Sequence, residues 1–241
     1  MTRIALWGYG DAMVNIIDRD AVRQLVADGR AQLVEVLPEA EYAWAHLPGA
    51  VNLPLAALDT AAGGLDPEQA VIVYCHDWLC DLSPRAAHRL DRLGFREVHD
   101  YRPGKMDWLA ADLPYEGSAE LVSRNVRRDP VTAGLDDALD ELTERIIADP
   151  AGLAVVVDED DVVQGVVGSG ELKGADLNAT AERVMRVGVT TVRPSEQLGP
   201  LIQRMDRARL DHVVVTQTDG RLVGLFGLGD VRSPESESDL G

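Results

Sequence analysis

The second half of the sequence contains an internal repeat, which restricts that half to a fold built from two copies of one unit. Two segments align without gaps at a spacing of 59 residues, so that Gly165 matches Gly224. Each copy shows a short Thr-containing strand, an amphipathic helix and two hydrophobic strands joined by an Asp-containing turn. This order predicts a repeated β-α-β-β unit that packs against its own copy.

In the first half, Cys75 stands between a predicted strand and a predicted helix. The strand is the apolar run 71–74, and the helix is expected to start with Ser83 as N-cap and Pro84 as its first residue, ending near Gly94. Backbone N–H groups at a helix N-terminus favour thiolate over thiol. We therefore predict an ionised, nucleophilic Cys75. The alternative is a small buried residue at a strand end.

The loop after Cys75 supplies further candidates for its chemistry. They are His76, Asp77, Trp78, Leu79, Cys80 and Asp81, with Arg85 just inside the helix. A histidine can stabilise a thiolate, and a second cysteine in the same loop can act as a resolving thiol. Their alternatives are a solvated histidine and a cysteine that packs under the helix.

The segments around this loop resemble the rhodanese-like (sulfurtransferase) domain over about residues 17–117. They are a strand at 33–36, Glu41-Tyr42, the block 45–54 (Ala-His-Leu-Pro-Gly-Ala-Val-Asn-Leu-Pro), and 103–108 with its Gly and Trp. The resemblance implies a three-layer α/β domain with a mostly parallel sheet and the cysteine loop at the strand carboxyl ends, where ligands bind. It also implies that Cys75 takes sulfane sulfur from a donor, forms a persulfide and passes the sulfur to an acceptor thiol.

Three departures from the family pattern bear on this chemistry. The strand end Glu35-Val36-Leu37 lacks the family's arginine, and the cysteine loop is longer than usual and also lacks arginine. Asp77 and Asp81 would raise the thiol pKa and repel an anionic donor such as thiosulfate. We therefore expect a neutral or protein-bound persulfide as donor. The alternatives are a non-catalytic interaction module and a Cys75/Cys80 redox switch.

The repeat resembles a tandem pair of cystathionine-β-synthase-type (CBS) motifs, with copies at about 124–175 and 178–232 and a β-α-β-β-α unit in each. The second copy carries the resemblance, in 189–194, 210–215, 220–224 and Asp230. The family implies dimerisation and an AMP, ATP or other adenosyl ligand, with no tightly bound cofactor. By this resemblance Asp230 holds the ribose; the residues bordering the base are Thr191, Val192, His212 and Val213. Glu171 is the matching acid of the first copy, and Gly168 and Gly227 replace the family's hydroxyl residue.

Composition limits the remaining possibilities. The net charge of −18 argues against nucleic acid as a partner, because no basic face is available for phosphates. No apolar run approaches the roughly 18 residues of a membrane span. Two cysteines in one loop and no signal-peptide pattern predict a cytoplasmic, reducing location, and the usage of Ala, Arg and Val suggests a bacterium. We expect no metal site, an extension at 1–16, a linker at 118–123 and a disordered acidic tail at 233–241.

Overall fold

The computed structural model describes residues 14–231, and these divide into two compact units. Residues 14–109 and 113–119 form the first unit, and residues 110–112 and 120–231 form the second. The predicted tail and most of the predicted extension lie outside the described residues. In the described part of the chain, no helix combines the length and the apolar character that a membrane crossing requires.

The first unit is built on one sheet of five strands with the order β1-β5-β4-β2-β3, and every neighbouring pair is parallel. The strands are β1 (Asn15–Ile16), β2 (Ala31–Glu35), β3 (Val51–Asn52), β4 (Ala70–Tyr74) and β5 (Val98–Tyr101). The helices are α1 (Arg19–Ala27), α2 (Glu39–Trp44), α3 (Leu58–Ala61), α4 (Leu82–Arg92) and α5 (Gly104–Ala110). The predicted α/β fold with a mostly parallel sheet is confirmed.

Strand β4 lies in the middle of the sheet and is buried on both faces. Val71, Val73 and Cys75 pack with residues of α3 and α4 in one hydrophobic cluster. Ile72 and Tyr74 pack with residues of α1 and α5 in another. Because side chains alternate along a strand, this division gives the three layers and places Cys75 on the α4 side.

The second unit contains the two predicted copies. Copy one has β6 (Thr132–Gly134), α6 (Leu139–Ala148), β7 (Leu153–Val157), β8 (Val163–Gly168) and α7 (Ser169–Leu172), and α8 (Ala181–Val184) begins copy two. Copy two has β9 (Thr191–Val192), α9 (Leu198–Ala208), β10 (His212–Thr216), β11 (Leu222–Gly227) and a 3-10 turn (Leu228–Asp230). Each copy forms a three-stranded sheet in which the first pair is parallel and the second antiparallel. Residues of both sheets share one apolar cluster: Val155, Val166, Val214 and Leu225.

Three local expectations are corrected. Asn15 and Ile16, expected in an extension, pair with β5 at the edge of the sheet. The stretch expected as a linker contains Leu121 and Val122, which are fully buried. Helix α4 starts at Leu82 rather than after a Ser83 cap, so Pro84 lies in its first turn, where a missing N–H is tolerated.

A buried lysine joins three elements of the first unit. Lys105 in α5 is fully buried, and its Nζ donates to Glu35 Oε1 at 3.0 Å and to the carbonyls of Glu41 and Ala45 at 2.7 and 2.9 Å. The ammonium also lies 5.5 Å from the ring centroid of Trp44. Burial raises the pKa of Glu35, and the nearby ammonium opposes that rise. The pair ties α5 to β2 and to the end of α2.

Breaking this pair should strongly destabilise the first unit. Lys105→Met leaves the buried Glu35 carboxylate without its counter-ion, so we expect the free energy of unfolding to fall by about 3–5 kcal/mol. All four tryptophans precede residue 109, so tryptophan fluorescence during urea unfolding follows this unit. The control Arg23→Met removes the exposed pair with Asp20 and should cost less than about 1 kcal/mol. A loss no greater than that control would contradict a structural role for Lys105.

Candidate functional site

The carboxyl end of β4 delivers Cys75 to the sheet edge where parallel α/β sheets usually bind ligands. The residue has no solvent-exposed surface. Its Sγ lies 3.3 Å from Ser83 Oγ, 3.6 Å from the carbonyl oxygen of Cys80 and 4.0 Å from that of Asp77. The loop therefore turns carbonyl oxygens toward the thiol.

The loop amides expected to face the sulfur are bound elsewhere. Asp77 Oδ1 accepts from the Leu79 amide at 2.9 Å, and the Asp77 carbonyl accepts from the Cys80 amide at 3.2 Å. An amide committed to an acceptor within the loop cannot stabilise a thiolate on Cys75. The Ser83 amide, in the first turn of α4, does lower the Cys75 pKa, but burial outweighs it, so the prediction that backbone amides leave Cys75 ionised is wrong for this conformation.

The electrostatics of the site agree with this geometry. Burial raises the pKa of the Cys75 thiol to about 11, the Ser83 hydroxyl opposes the rise, and the Cys80 thiol adds to it. Ser83 is itself fully buried and hydrogen-bonds to Asp100, whose pKa is raised by burial in spite of that bond and of Arg102. Cys75 therefore rests as a neutral thiol beside a buried hydroxyl and carboxyl group.

The predicted polar partners of Cys75 pair with each other. His76 Nδ1 lies 3.0 Å from Asp77 Oδ2, and this hydrogen bond lowers the pKa of the Asp77 carboxyl. Arg85 Nη1 lies 3.4 Å from Asp81 Oδ2, with both side chains exposed. The structure gives neither His76 nor Arg85 a contact with the sulfur.

The loop tip is apolar and exposed, in contrast to its base. The side chains of Trp78 and Leu79 are 59 % and 93 % exposed. Cys80 is partly exposed and packs against the same apolar cluster that contains Cys75. The loop thus contains one fully buried cysteine and one partly exposed cysteine.

Helix α5 fixes the base of the loop. The amides of Lys105 and Met106 donate to the carbonyls of Cys75 and His76, both at 3.0 Å. A Cβ at Gly104 would lie 2.6 Å from the Cys75 carbonyl oxygen, and its φ of +67° also favours glycine. The close approach of α5 therefore requires glycine at this position.

A second candidate site is a cleft of about 360 Å³ in the second unit. Residues from both copies line it, among them Arg127, Ala151, His212 and Asp230. The guanidinium of Arg127 donates two hydrogen bonds, of 2.8 and 2.9 Å, to the carboxylate of Asp149. The cleft thus combines the carboxylates of Asp211 and Asp230 with an imidazole and an arginine that is paired with Asp149.

The structure brings together only part of the predicted nucleotide site. His212 and Asp230 line the cleft, whereas Thr191, Val192 and Val213 do not; Val192 and Val213 pack in the core of copy two. Glu171 lies in copy one, where its carboxylate accepts from the Gly168 amide at 3.0 Å and contacts Arg186 at 3.3 Å.

The glycine at the family's hydroxyl position has a steric cause. A Cβ at Gly227 would lie 2.8 Å from the His212 ring and 3.0 Å from Asp230 Oδ2. The imidazole therefore fills the space that a hydroxyl side chain would need. The Gly227 amide donates to Asp230 Oδ2 at 3.1 Å.

Sequence reasoning missed two residues of these sites. Asp100 is a buried carboxylate within strand β5, all four residues of which are buried, and a carboxylate in such a strand was a usable signal. Arg127 lies at the start of copy one, before β6, and the 59-residue spacing aligns it with Arg186. Both arginines exchange backbone hydrogen bonds with a strand, Arg127 with Leu225 and Arg186 with Val166, so extending the repeat alignment would have found the pair.

Comparison with known protein families identifies both units. A model of the rhodanese-like domain matches residues 18–111, and a model of the CBS domain matches residues 181–234. The first unit is therefore a rhodanese-like domain, and copy two is a CBS domain whose strand and helix order is repeated in copy one. Both predicted resemblances are confirmed.

The similar proteins of known name share the first unit. An HTH-type transcriptional regulator of Mycobacterium tuberculosis is 35 % identical over 93 residues, covering 39 % of this chain and 41 % of the regulator. A putative sulfur carrier protein of Bacillus subtilis is 31 % identical over 38 % of this chain and 49 % of its own length. The chain thus spans less than half of these two relatives. A sulfurtransferase of Allochromatium vinosum is 29 % identical over 42 % of this chain and 94 % of its own.

Solved structures of CBS domain proteins are also similar to part of this chain. A CBS domain protein from Pyrobaculum aerophilum, complexed with AMP, is 24 % identical over 46 % of this chain and 88 % of its own, with a TM-score of 0.41. The CBS domain pair of protein MJ0100 was solved in complex with 5′-methylthioadenosine and S-adenosyl-L-methionine. It is 22 % identical over 47 % of this chain and 94 % of its own, with a TM-score of 0.42.

Freeing the loop amides should activate the thiol. In a Cys80→Ser background, Asp77→Ala removes the acceptor of the Leu79 amide, so we expect a lower Cys75 pKa and alkylation by iodoacetamide that is about tenfold faster near neutral pH. With Asp77 intact, the rate should rise about tenfold per pH unit up to roughly pH 10, because the thiolate fraction rises in that proportion.

Asp81→Ala is the matched control, because it removes the same charge from the loop without freeing those amides. A smaller acceleration than in Asp77→Ala assigns the effect to the amides. Equal acceleration in both variants would show that charge alone sets the Cys75 pKa.

Proposed function

We propose that the rhodanese-like unit carries sulfane sulfur on Cys75 and that the CBS unit binds an adenosine ligand beside Asp230. The observation that carries the first part is the position of Cys75, at the carboxyl end of the central strand and within a loop that holds a second thiol. The named relatives of this unit include a sulfurtransferase and a putative sulfur carrier, which supports the same chemistry.

The transfer needs only a persulfide donor and an acceptor thiol. The Cys75 thiolate attacks the outer sulfur of the donor, the donor's S–S bond breaks, and the donor leaves as a thiolate while Cys75 becomes a persulfide. An acceptor thiolate then attacks the outer sulfur, and Cys75 leaves as a thiolate. Ser83 is the group placed to donate a hydrogen bond to that leaving sulfur.

The loop charge favours a neutral or protein-bound persulfide over thiosulfate. The loop contains the carboxylates of Asp77 and Asp81, and the arginine next to them, Arg85, is already paired with Asp81. A dianionic donor would meet uncompensated negative charge at the loop. The exposed Trp78 and Leu79 provide apolar surface for a protein donor or acceptor.

Sulfur loading tests this proposal. Incubation with cysteine persulfide should add one sulfur atom (about 32 Da) to Cys75, located by fragmentation of the modified peptide. Thiosulfate should load at least about tenfold more slowly, because the loop carboxylates repel it. Absence of the added mass with every sulfane donor would remove the sulfur-carrier function.

The sealed thiol also favours a second candidate, a non-catalytic interaction module. A thiol with no exposed surface and a pKa of about 11 suits a packing role as well as a reactive one. Cys75→Ser separates the two, because an interaction module retains its partner binding while a sulfur carrier loses transfer.

The cleft in the CBS unit suits an adenosine ligand by size and chemistry. Its volume of about 360 Å³ lies within the range of small-molecule sites. Asp230 offers carboxylate oxygens to both ribose hydroxyls, and His212 offers a ring to the base. Because Asp149 neutralises Arg127, a single phosphate or an uncharged adenosyl group suits the cleft better than a triphosphate. A homodimer through this unit, a cytoplasmic location and a bacterial origin remain predictions.

Thermal shifts with AMP test this part. A ligand that binds only the native state raises stability by about 2.7 kcal/mol at a hundredfold excess over Kd. Asp230→Ala should abolish the shift, whereas the matched control Glu171→Ala should preserve it, because Glu171 is bound to Arg186. A hydrophobic dye is the suitable reporter, since all tryptophans precede residue 109. An unchanged shift in Asp230→Ala would contradict the assigned ribose anchor.

A further inference from the structure

Cys75 is poorly placed to meet a donor directly. Its sulfur has no exposed surface, and loop carbonyls and the Ser83 hydroxyl surround it. Helix α5 holds the carbonyls of Cys75 and His76 by two backbone hydrogen bonds, so the base of the loop is fixed. A donor larger than a few atoms cannot align its S–S bond with this sulfur while the loop keeps this conformation.

Cys80 has the access that Cys75 lacks. It is partly exposed, its side chain hydrogen-bonds with that of Cys75, and its carbonyl lies 3.6 Å from Cys75 Sγ. The Cys80 amide closes a turn onto the Asp77 carbonyl at 3.2 Å, which holds the second thiol over the first. The neighbouring Leu79 is almost fully exposed, so the solvent side of this turn is open.

We propose that Cys80 is the entry thiol, which takes sulfane sulfur from a persulfide donor and passes it inward to Cys75. This inference rests on the proposed function and extends it. In the first step the Cys80 thiolate attacks the outer sulfur of the donor, which leaves as a thiolate. In the second, Cys75 attacks the outer sulfur of the Cys80 persulfide. The S–S bond to Cys80 breaks, and the proton lost by Cys75 goes to the Cys80 thiolate.

The chemistry of the buried thiol fits the second step. A thiolate derived from a thiol of high pKa is intrinsically a strong nucleophile and a poor leaving group. Burial gives Cys75 this property, so sulfur that reaches it is retained. Both steps are exchanges between a thiol and a persulfide, so no external oxidant or reductant is required.

Initial rates of sulfur uptake test the relay. Cysteine persulfide is added to the wild type, Cys80→Ser, Cys75→Ser and Arg96→Ala, and intact mass is followed with time. We expect the wild type and Cys75→Ser to gain sulfur at similar rates and Cys80→Ser to gain it at least about tenfold more slowly. Arg96→Ala, a change at an exposed side chain outside the loop, keeps both thiols and should match the wild type. Cyanide should then remove sulfur more slowly from the wild type than from Cys75→Ser, where it remains on the exposed thiol.

Each contrary result would lead to a different conclusion. Uptake by Cys80→Ser at the wild-type rate would overturn the relay and leave Cys75 as a direct sulfur carrier. A wild-type product that loses about 2 Da and releases hydrogen sulfide would also overturn it, because Cys80 would then be a resolving thiol that forms a disulfide. Equal slowing in Arg96→Ala would show that the loss of rate is not specific to Cys80 and would also overturn the relay. Failure of the wild type to gain sulfur would overturn the proposed function itself. Cys80→Ala repeats the test with a second side chain.

Discussion

The ammonium of Lys105 is the interaction on which the first unit depends most. One buried side chain satisfies a carboxylate of β2 and two carbonyls at the end of α2, while the amide of the same residue holds the carbonyl of Cys75. An isolated buried ammonium is very costly, so these partners must all be in place when the unit folds. The arrangement couples the fold to the site: the residue that stabilises the interior also fixes the base of the cysteine loop.

Within that frame, the state of the thiol is decided by competition for a few amides. A cysteine at the end of a parallel strand, before a helix, would ordinarily be expected to gain from N–H groups around it. Here the amides of Leu79 and Cys80 bind to Asp77, and burial of the sulfur outweighs the hydrogen bonds from Ser83 that favour the thiolate. The same carboxylate also binds His76, so one residue removes two sources of thiolate stabilisation. The loop is thus organised to keep Cys75 neutral and covered, and reactivity must come from a change in the loop or from Cys80.

The features that sequence patterns predicted are those governed by periodicity. The apolar run of β4 and the 59-residue repeat of the second unit depend on which positions are buried, and burial repeats regularly along strands and helices. The start of α4 and the orientation of the loop amides depend instead on which of several nearby acceptors each hydrogen-bond donor binds. Serine is a residue type favoured at helix N-caps, but the Ser83 hydroxyl hydrogen-bonds to Cys75 and Asp100 instead. The sequence alone does not predict these hydrogen-bond partners, because each donor in the loop has several acceptors within reach.

The two CBS copies show how one substitution can make a symmetric unit asymmetric. Arg127 and Arg186 occupy equivalent positions, as do Asp230 and Glu171. Arg186 contacts Glu171 at 3.3 Å. Arg127 instead donates two hydrogen bonds to Asp149, and the position matching Asp149 in the repeat is Ala208. Because Arg127 is bound to Asp149, the Asp230 carboxylate stays available to a ligand in the cleft, whereas the Glu171 carboxylate is held by Arg186. The asymmetry therefore arises from a third residue, Asp149, and predicts one adenosine site per chain rather than two.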